Sequence, residues 1–175
     1  MPISNEFLTQ LGLITLNFEN YQKHLEFLIW ALIGEDQILG QMITCKMSFK
    51  NICELASSLF QYRCDNEDLR KLLDSIISKS LGMEDKRNTI IHSAYADSGD
   101  PKLPLTRIKF TARKGKDFKQ AIEDIKGDDL KPINTELVTL QRELAKFTDQ
   151  IAQAGIINLH DRLVQTPDVY RAKKS

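Results

Sequence analysis

Leu11, Ile14, Phe18, Tyr21, Leu25, Leu28 and Leu32 follow one another at alternating spacings of three and four residues. Seven consecutive positions on this period form an apolar stripe along one face of an α-helix. A second stripe of the same length runs through Leu130, Ile133, Leu137, Leu140, Leu144, Phe147 and Ile151. A third segment carries Leu69, Leu72, Leu73, Ile76, Ile77 and Leu81 on one side and continues as Glu84, Arg87, Asn88 and Ile91. Each of these helices must bury its stripe to be stable, so the chain has to pack helix on helix.

Local signals bound the elements. Ser4 and Ser48 suit helix N-caps, as does Asp65 or Asn66, and Asp128 or Asp129 suits the last helix. Gly34 is a stop signal, and Pro132 falls in the first turn of a helix beginning near 129. These features predict helices near 5–33, 48–63, 67–92 and 129–154, with a short helix around Ile38–Ile43 and a bend at Gly82. One more helix is expected between Ile156 and Val164. Between the motif helix and the last stripe the texture changes. Gly99, Pro101 and Pro104 make a loop, and residues 105–112 alternate with period two, the mark of a strand. Lys114-Gly115-Lys116 supplies a turn. Residues 118–125 return either as a strand or as a short helix, and the spacing of Phe118, Ile122 and Ile125 favours the helix. The expected fold is mainly α: an antiparallel helical bundle of four to five helices with a small β-hairpin insertion at about 104–125. It is expected as a single domain over 1–165 with a polar tail over 166–175.

Composition narrows the partners. Apolar residues make up 42% and charged residues 27% of the 175, which is ordinary for a globular chain. Lys plus Arg and Asp plus Glu are 24 each, so a globally basic nucleic-acid binder is excluded and any anionic partner must meet a local patch. Such a patch exists. Lys102, Arg107, Lys109, Arg113, Lys114, Lys116 and Lys119 lie together with Asp117 as the only acid among them. It is either a solvated face or a phosphate-contacting surface. Cys45, Cys53 and Cys64 form no CxxC pair, which suits free thiols in a reducing compartment. The N-terminus has no basic secretory region, and the longest apolar stretch, around Leu25–Ile33, contains Glu26. A cytoplasmic protein with no membrane partner is expected.

Most catalytic signatures are missing. His24, His92 and His160 stand in no HxxxH or HExxH spacing, and no phosphate-binding glycine loop or G-x-S-x-G elbow occurs. No metal and no cofactor is expected. What remains is Glu84-Asp85-Lys86-Arg87-Asn88-Thr89-Ile90-Ile91-His92-Ser93-Ala94-Tyr95. Glu84, Asn88 and His92 fall on one helix face at i, i+4 and i+8, with Arg87 bordering it. Arg87 and His92 are about 140° apart on an ideal helix, so they converge only if the helix unwinds near His92 or across an interface with a second molecule.

The run R-N-T-I-I-H resembles the R-(polar)-x-x-x-H signature of the HEPN superfamily, all-helical bundles that include many prokaryotic ribonucleases and toxins. Arg87, Asn88 and His92 occupy the Arg, polar and His positions. The resemblance implies metal-independent RNA cleavage by a homodimer in which two motifs meet across a shared interface. It further implies a toxin or phage-defence setting with an antitoxin partner protein. Some HEPN-like proteins instead serve as non-catalytic modules that bind a partner protein or nucleotide. The chemistry fits the residue types. Histidine can act as base or acid, arginine offers fixed donors to phosphate oxygens, and asparagine can orient either. Glu84 is expected behind them. In the toxin subgroup paired with a nucleotidyltransferase antitoxin, a Tyr follows the His by two positions. Tyr95 follows His92 by three and joins Glu84 in a supporting role. With RNA as substrate, Arg107, Lys109, Arg113, Lys114 and Lys116 become the expected RNA contacts.

Overall fold

The computed structural model describes residues 3–34, 37–96, 105–111 and 119–157. Among them are five helices: α1 (Asn5–Ile33), α2 (Gln37–Thr44), α3 (Phe49–Arg63), α4 (Glu67–Ile91) and α5 (Gly127–Gln153). Three strands, β1 (Ala94–Ala96), β2 (Leu105–Thr111) and β3 (Lys119–Ile125), lie between α4 and α5. The molecule is a mainly helical bundle with a small antiparallel sheet inserted after α4.

The expected caps form at three helix starts. Ser4 Oγ accepts from the Phe7 N–H at 3.2 Å, Ser48 Oγ from Asn51 at 3.3 Å, and Asn66 Oδ1 from both Asp68 and Leu69. Each satisfies an N–H that the helix itself leaves unpaired. Gly34 ends α1 with φ at 113°, a conformation that side chains other than glycine's resist. The start of α5 differs from expectation. Lys126 is the N-cap, and Asp129 reaches back from the first turn to accept the Lys126 N–H at 2.7 Å. The helix therefore begins at Gly127, and Pro132 lies inside it rather than in its first turn. α4 runs through Gly82 to Ile91 as one element, where the sequence suggested a bend.

Contacts between helices fix their directions. Phe18 meets Phe49 at 4.8 Å and Arg63 bonds the Ile33 carbonyl, so α3 runs parallel to α1. Asn134 pairs with Gln10 and Gln141 with Asn17, so α5 does too. Phe18 meets Arg87 and Tyr21 meets Ser80, so α4 runs the other way. Tyr21, Leu25, Ile52, Phe60, Leu73, Ile76 and Phe147 are fully buried between these helices. The Ser80 hydroxyl gives its proton to the Ile76 carbonyl at 2.6 Å, so the buried Tyr21 hydroxyl must be the donor in their 2.5 Å bond.

α2 packs inside out. Gly40 and Thr44 face Trp30, whose indole N–H donates to Thr44 Oγ1 at 2.9 Å, while Ile38, Leu39, Met42 and Ile43 are exposed. A Cβ on Gly40 would sit 2.6 Å from Trp30 Cδ1, in the plate of a half-buried ring. Gly40→Ala is therefore expected to destabilise the protein by about 1–3 kcal/mol through overpacking. A denaturant midpoint unchanged from the parent would show that α2 does not pack on Trp30 in this way.

The sheet settles the alternative left open at 118–125. Residues 119–125 form β3, paired with β2 over seven positions from Leu105↔Ile125 to Thr111↔Lys119. The three-four spacing that favoured a helix is incidental, because Ile122 is 61% exposed and the strand buries only Ile125. β1 was not foreseen. It pairs through Ala94↔Ile108, Tyr95↔Arg107 and Ala96↔Thr106, and three residues are too few for a periodic signal. The loop expected over 96–104 gives up Ala96 to β1, and its remainder, the expected Lys114-Gly115-Lys116 turn, the expected Ile156–Val164 helix beyond Ile157 and the 166–175 tail lie outside the described residues. Among the described residues no helix is long and apolar enough to cross a membrane. Cys45 is exposed, Cys53 and Cys64 are buried, and all three thiols are free. Burial, with Glu84 and Glu54 adding to it, pushes the Cys53 thiol up to about 12.

Candidate functional site

The Arg–Asn–His run occupies the last turn of α4, at the end of the bundle where α1 begins and α5 starts. The helix stays regular to Ile91, and His92 is its C-cap with φ −100° and ψ 22°. The His92 N–H still bonds the Asn88 carbonyl at 3.1 Å. Its imidazole is exposed and has no hydrogen-bond partner among the described residues.

Arg87 leans the other way, onto α1. Its Cζ lies 5.3 Å over the Phe18 ring, and Nη2 is 3.5 Å from Glu19 Oε1. Nη1 donates to Asn88 Oδ1 at 3.0 Å. The side chain is only 18% exposed, and Nε is buried with no acceptor among the described residues. Burial and then the neighbouring Asp85 push the Glu84 carboxyl up, while Arg87 and Asn88 pull it back. The structure thus joins Arg87 and Asn88 by a hydrogen bond, with Glu84 one turn earlier on the same helix. It does not bring His92 to Arg87 within one molecule, because the helix keeps its winding and the two side chains leave it on different bearings.

The C-terminal carbonyls of α4 have no partners within the helix. Side chains supply them. Ser93 Oγ donates to the Thr89 carbonyl at 2.5 Å, Arg107 Nη1 to the same oxygen at 3.1 Å, and the Tyr95 hydroxyl to the Ile90 carbonyl at 2.6 Å. Lys109 Nζ donates to Thr89 Oγ1 at 2.6 Å. Arg107 also pairs with Glu123, its Nε 2.7 Å from Oε1. Two cations at a helix C-terminus complement the helix dipole.

This geometry redistributes the residues read as RNA contacts. Arg107 is 6% exposed and its donors are engaged, so it is a strut between the sheet and α4 rather than a free phosphate ligand. Lys109 is half-buried against Thr89. Arg113, Lys114 and Lys116 lie outside the described residues. Tyr95 packs edge-on against Phe7 with ring centroids 5.2 Å apart, and it supports the end of α4 with its hydroxyl. Phe18 and Glu19, the partners of Arg87 on α1, carry no local sequence signal for a site. Phe18 belongs to the core stripe, and Glu19 is one charge among many.

Elsewhere, a cavity of about 220 Å³ opens between α1 and α5, lined by His24, Phe27, Leu28, Ala31, Leu144 and Thr148 among others. It lies toward the far end of α1 from Arg87. Among the described residues no three His, Cys, Asp or Glu side chains are grouped to hold a metal ion. No protein-family model, curated protein or solved structure matches the chain.

Proposed function

We propose that the protein is a metal-independent endoribonuclease of HEPN type, working in the cytoplasm as a two-fold dimer, in the setting of a toxin or phage-defence effector that an antitoxin protein holds in check. The observation that carries this reading is the state of Arg87, together with an exposed His92 at the end of the same helix. A guanidinium stacked on Phe18 and held by Asn88, with a buried Nε that has no acceptor among the described residues, is pre-oriented and partly desolvated. An exposed imidazole on the same helix end is open to a substrate. In this mechanism His92 takes the proton from a ribose 2′-OH or gives one to the departing 5′-oxygen. Arg87 donates to the non-bridging oxygens as their charge builds, and Asn88 positions the guanidinium. The 2′-oxygen bonds to phosphorus as the P–O5′ bond breaks, leaving a 2′,3′-cyclic phosphate and a 5′-hydroxyl.

One chain supplies a single His92 and turns its Arg87 away from it. A two-fold axis near the end of α4 provides both the second set and the convergence that the regular helix denies. Sedimentation is expected to show a dimer at micromolar concentration, and a monomer there would count against the mechanism. A second reading has its own support. Glu19 sits 3.5 Å from Arg87 and competes with any phosphate there, which favours a non-catalytic module whose partner protein or nucleotide is met by other residues. Incubating purified protein with total RNA in EDTA, beside His92→Ala, separates the two. Cleavage by the parent alone supports the enzyme, and no cleavage by either supports the module.

A further inference from the structure

The basic strand β2 has no part in the mechanism above, although its side chains reach the motif helix. Arg107 stands at a particular place. Nη1 donates to the Thr89 carbonyl at 3.1 Å and lies 3.4 Å from Ser93 Oγ. Those two groups flank His92, one on the helix side and one on the strand side. The strand side is held a second time, because Arg107 is the register partner of Tyr95 in β1. The guanidinium is fixed from behind by Glu123, and the residue is 6% exposed. His92 therefore sits in a two-residue junction, His92–Ser93, between a 25-residue helix and a strand. One buried fork spans that junction.

We infer that Arg107 is a positioning residue for His92, and that the inserted sheet serves as a splint fixing where the imidazole leaves the end of α4. Lys109 reinforces the splint by donating to Thr89 Oγ1. Lysine could not replace Arg107, since a single ammonium cannot bond Glu123 behind and both Thr89 and Ser93 in front in one planar geometry. The inference rests on the ribonuclease reading for its consequence in catalysis, while the bridging itself is a property of the free protein.

The experiment has two arms. In the first, amide hydrogen exchange is followed on RNA-free parent, Arg107→Met, Arg107→Lys and Ser93→Ala. Loss of a charged hydrogen-bond bridge should speed exchange over 88–96 by about tenfold in Arg107→Met, with the α1 core unchanged. In the second, RNA cleavage is resolved into kcat and KM. Arg107→Met should lower kcat by about 10–10²-fold, as expected of a misplaced catalytic group, and leave KM and its salt dependence as in the parent. Arg107→Lys should not restore kcat. If Arg107→Met fails to fold, Ser93→Ala tests the same junction with the Arg107–Glu123 pair left in place, and it should shift exchange and kcat in the same direction. Unchanged exchange over 88–96 in the folded variants would overturn the inference. So would a raised KM with a flatter salt dependence at constant kcat, the mark of a phosphate contact, or full rescue by lysine. Parent protein that cleaves no RNA would sink the ribonuclease reading alone, and the exchange arm would still decide whether Arg107 holds the junction.

Discussion

His92→Ala is expected to lower the rate of RNA cleavage by about 10²–10⁴-fold, the span of positioned general acid–base catalysis. The loss should fall on the chemical step, because the imidazole is exposed and hydrogen-bonds no other side chain among the described residues. Stability should hardly move. The backbone role of His92, its N–H on the Asn88 carbonyl, survives the substitution. Exposed positions of this kind change stability by about 0.5 kcal/mol or less. Residual cleavage should still yield a 2′,3′-cyclic phosphate, since the attacking group belongs to the RNA and not to the protein. Gel analysis of a defined RNA in EDTA, with end-group determination of the products, reads both rate and chemistry. Equal cleavage by parent and variant would place the activity elsewhere or in a contaminant.

The helices were legible because each rests on many residues that agree. The α1 and α5 stripes repeat a three-four spacing over seven positions, and Ser4, Ser48 and Asn66 mark starts by a chemistry that needs only local geometry. Where the reading stayed open, as at β3, or missed an element, the deciding interaction was not local. β3 carries helix-like spacing, but its seven-residue register with β2 takes precedence. β1 exists only because β2 offers it an edge. The start of α5 is moved forward by the Asp129 carboxylate reaching back to Lys126.

The candidate site shows the same division. Arg87, Asn88 and His92 could be picked out as a row of polar residues ending an apolar helix, a local break in pattern of the kind that marks sites. The direction in which Arg87 points could not be read, because it is set by Phe18 and Glu19 on another helix. Charge counting could not place Arg107 for a related reason. Seven cations in one stretch look like a phosphate surface, yet alternation along β2 turns residues 105, 107 and 109 to the helix side of the sheet. There Arg107 is consumed by α4's unpaired carbonyls and by Glu123.

Arg87→Ala is expected to cost about 10²–10³-fold in cleavage, comparable to removing one preorganised donor from an oxyanion site. The argument turns on what already holds the guanidinium. Phe18 lies beneath it and Asn88 takes one nitrogen, so little reorganisation remains when charge develops on the phosphate. Glu19 opposes this by binding the same guanidinium at 3.5 Å, but with a side chain 53% exposed to water that screens the pair. Glu19→Gln should therefore raise RNA affinity modestly, and it should not rescue Arg87→Ala. Arg87→Lys should recover little, because lysine cannot stack on Phe18, bond Asn88 and reach a phosphate together. Stability should fall by about 0.5–1 kcal/mol in Arg87→Ala through loss of the stacked cation. Single-turnover cleavage with melting curves on the same preparations separates the two effects. A variant that loses stability on this scale but keeps its cleavage rate would make Arg87 a packing residue between α1 and α4.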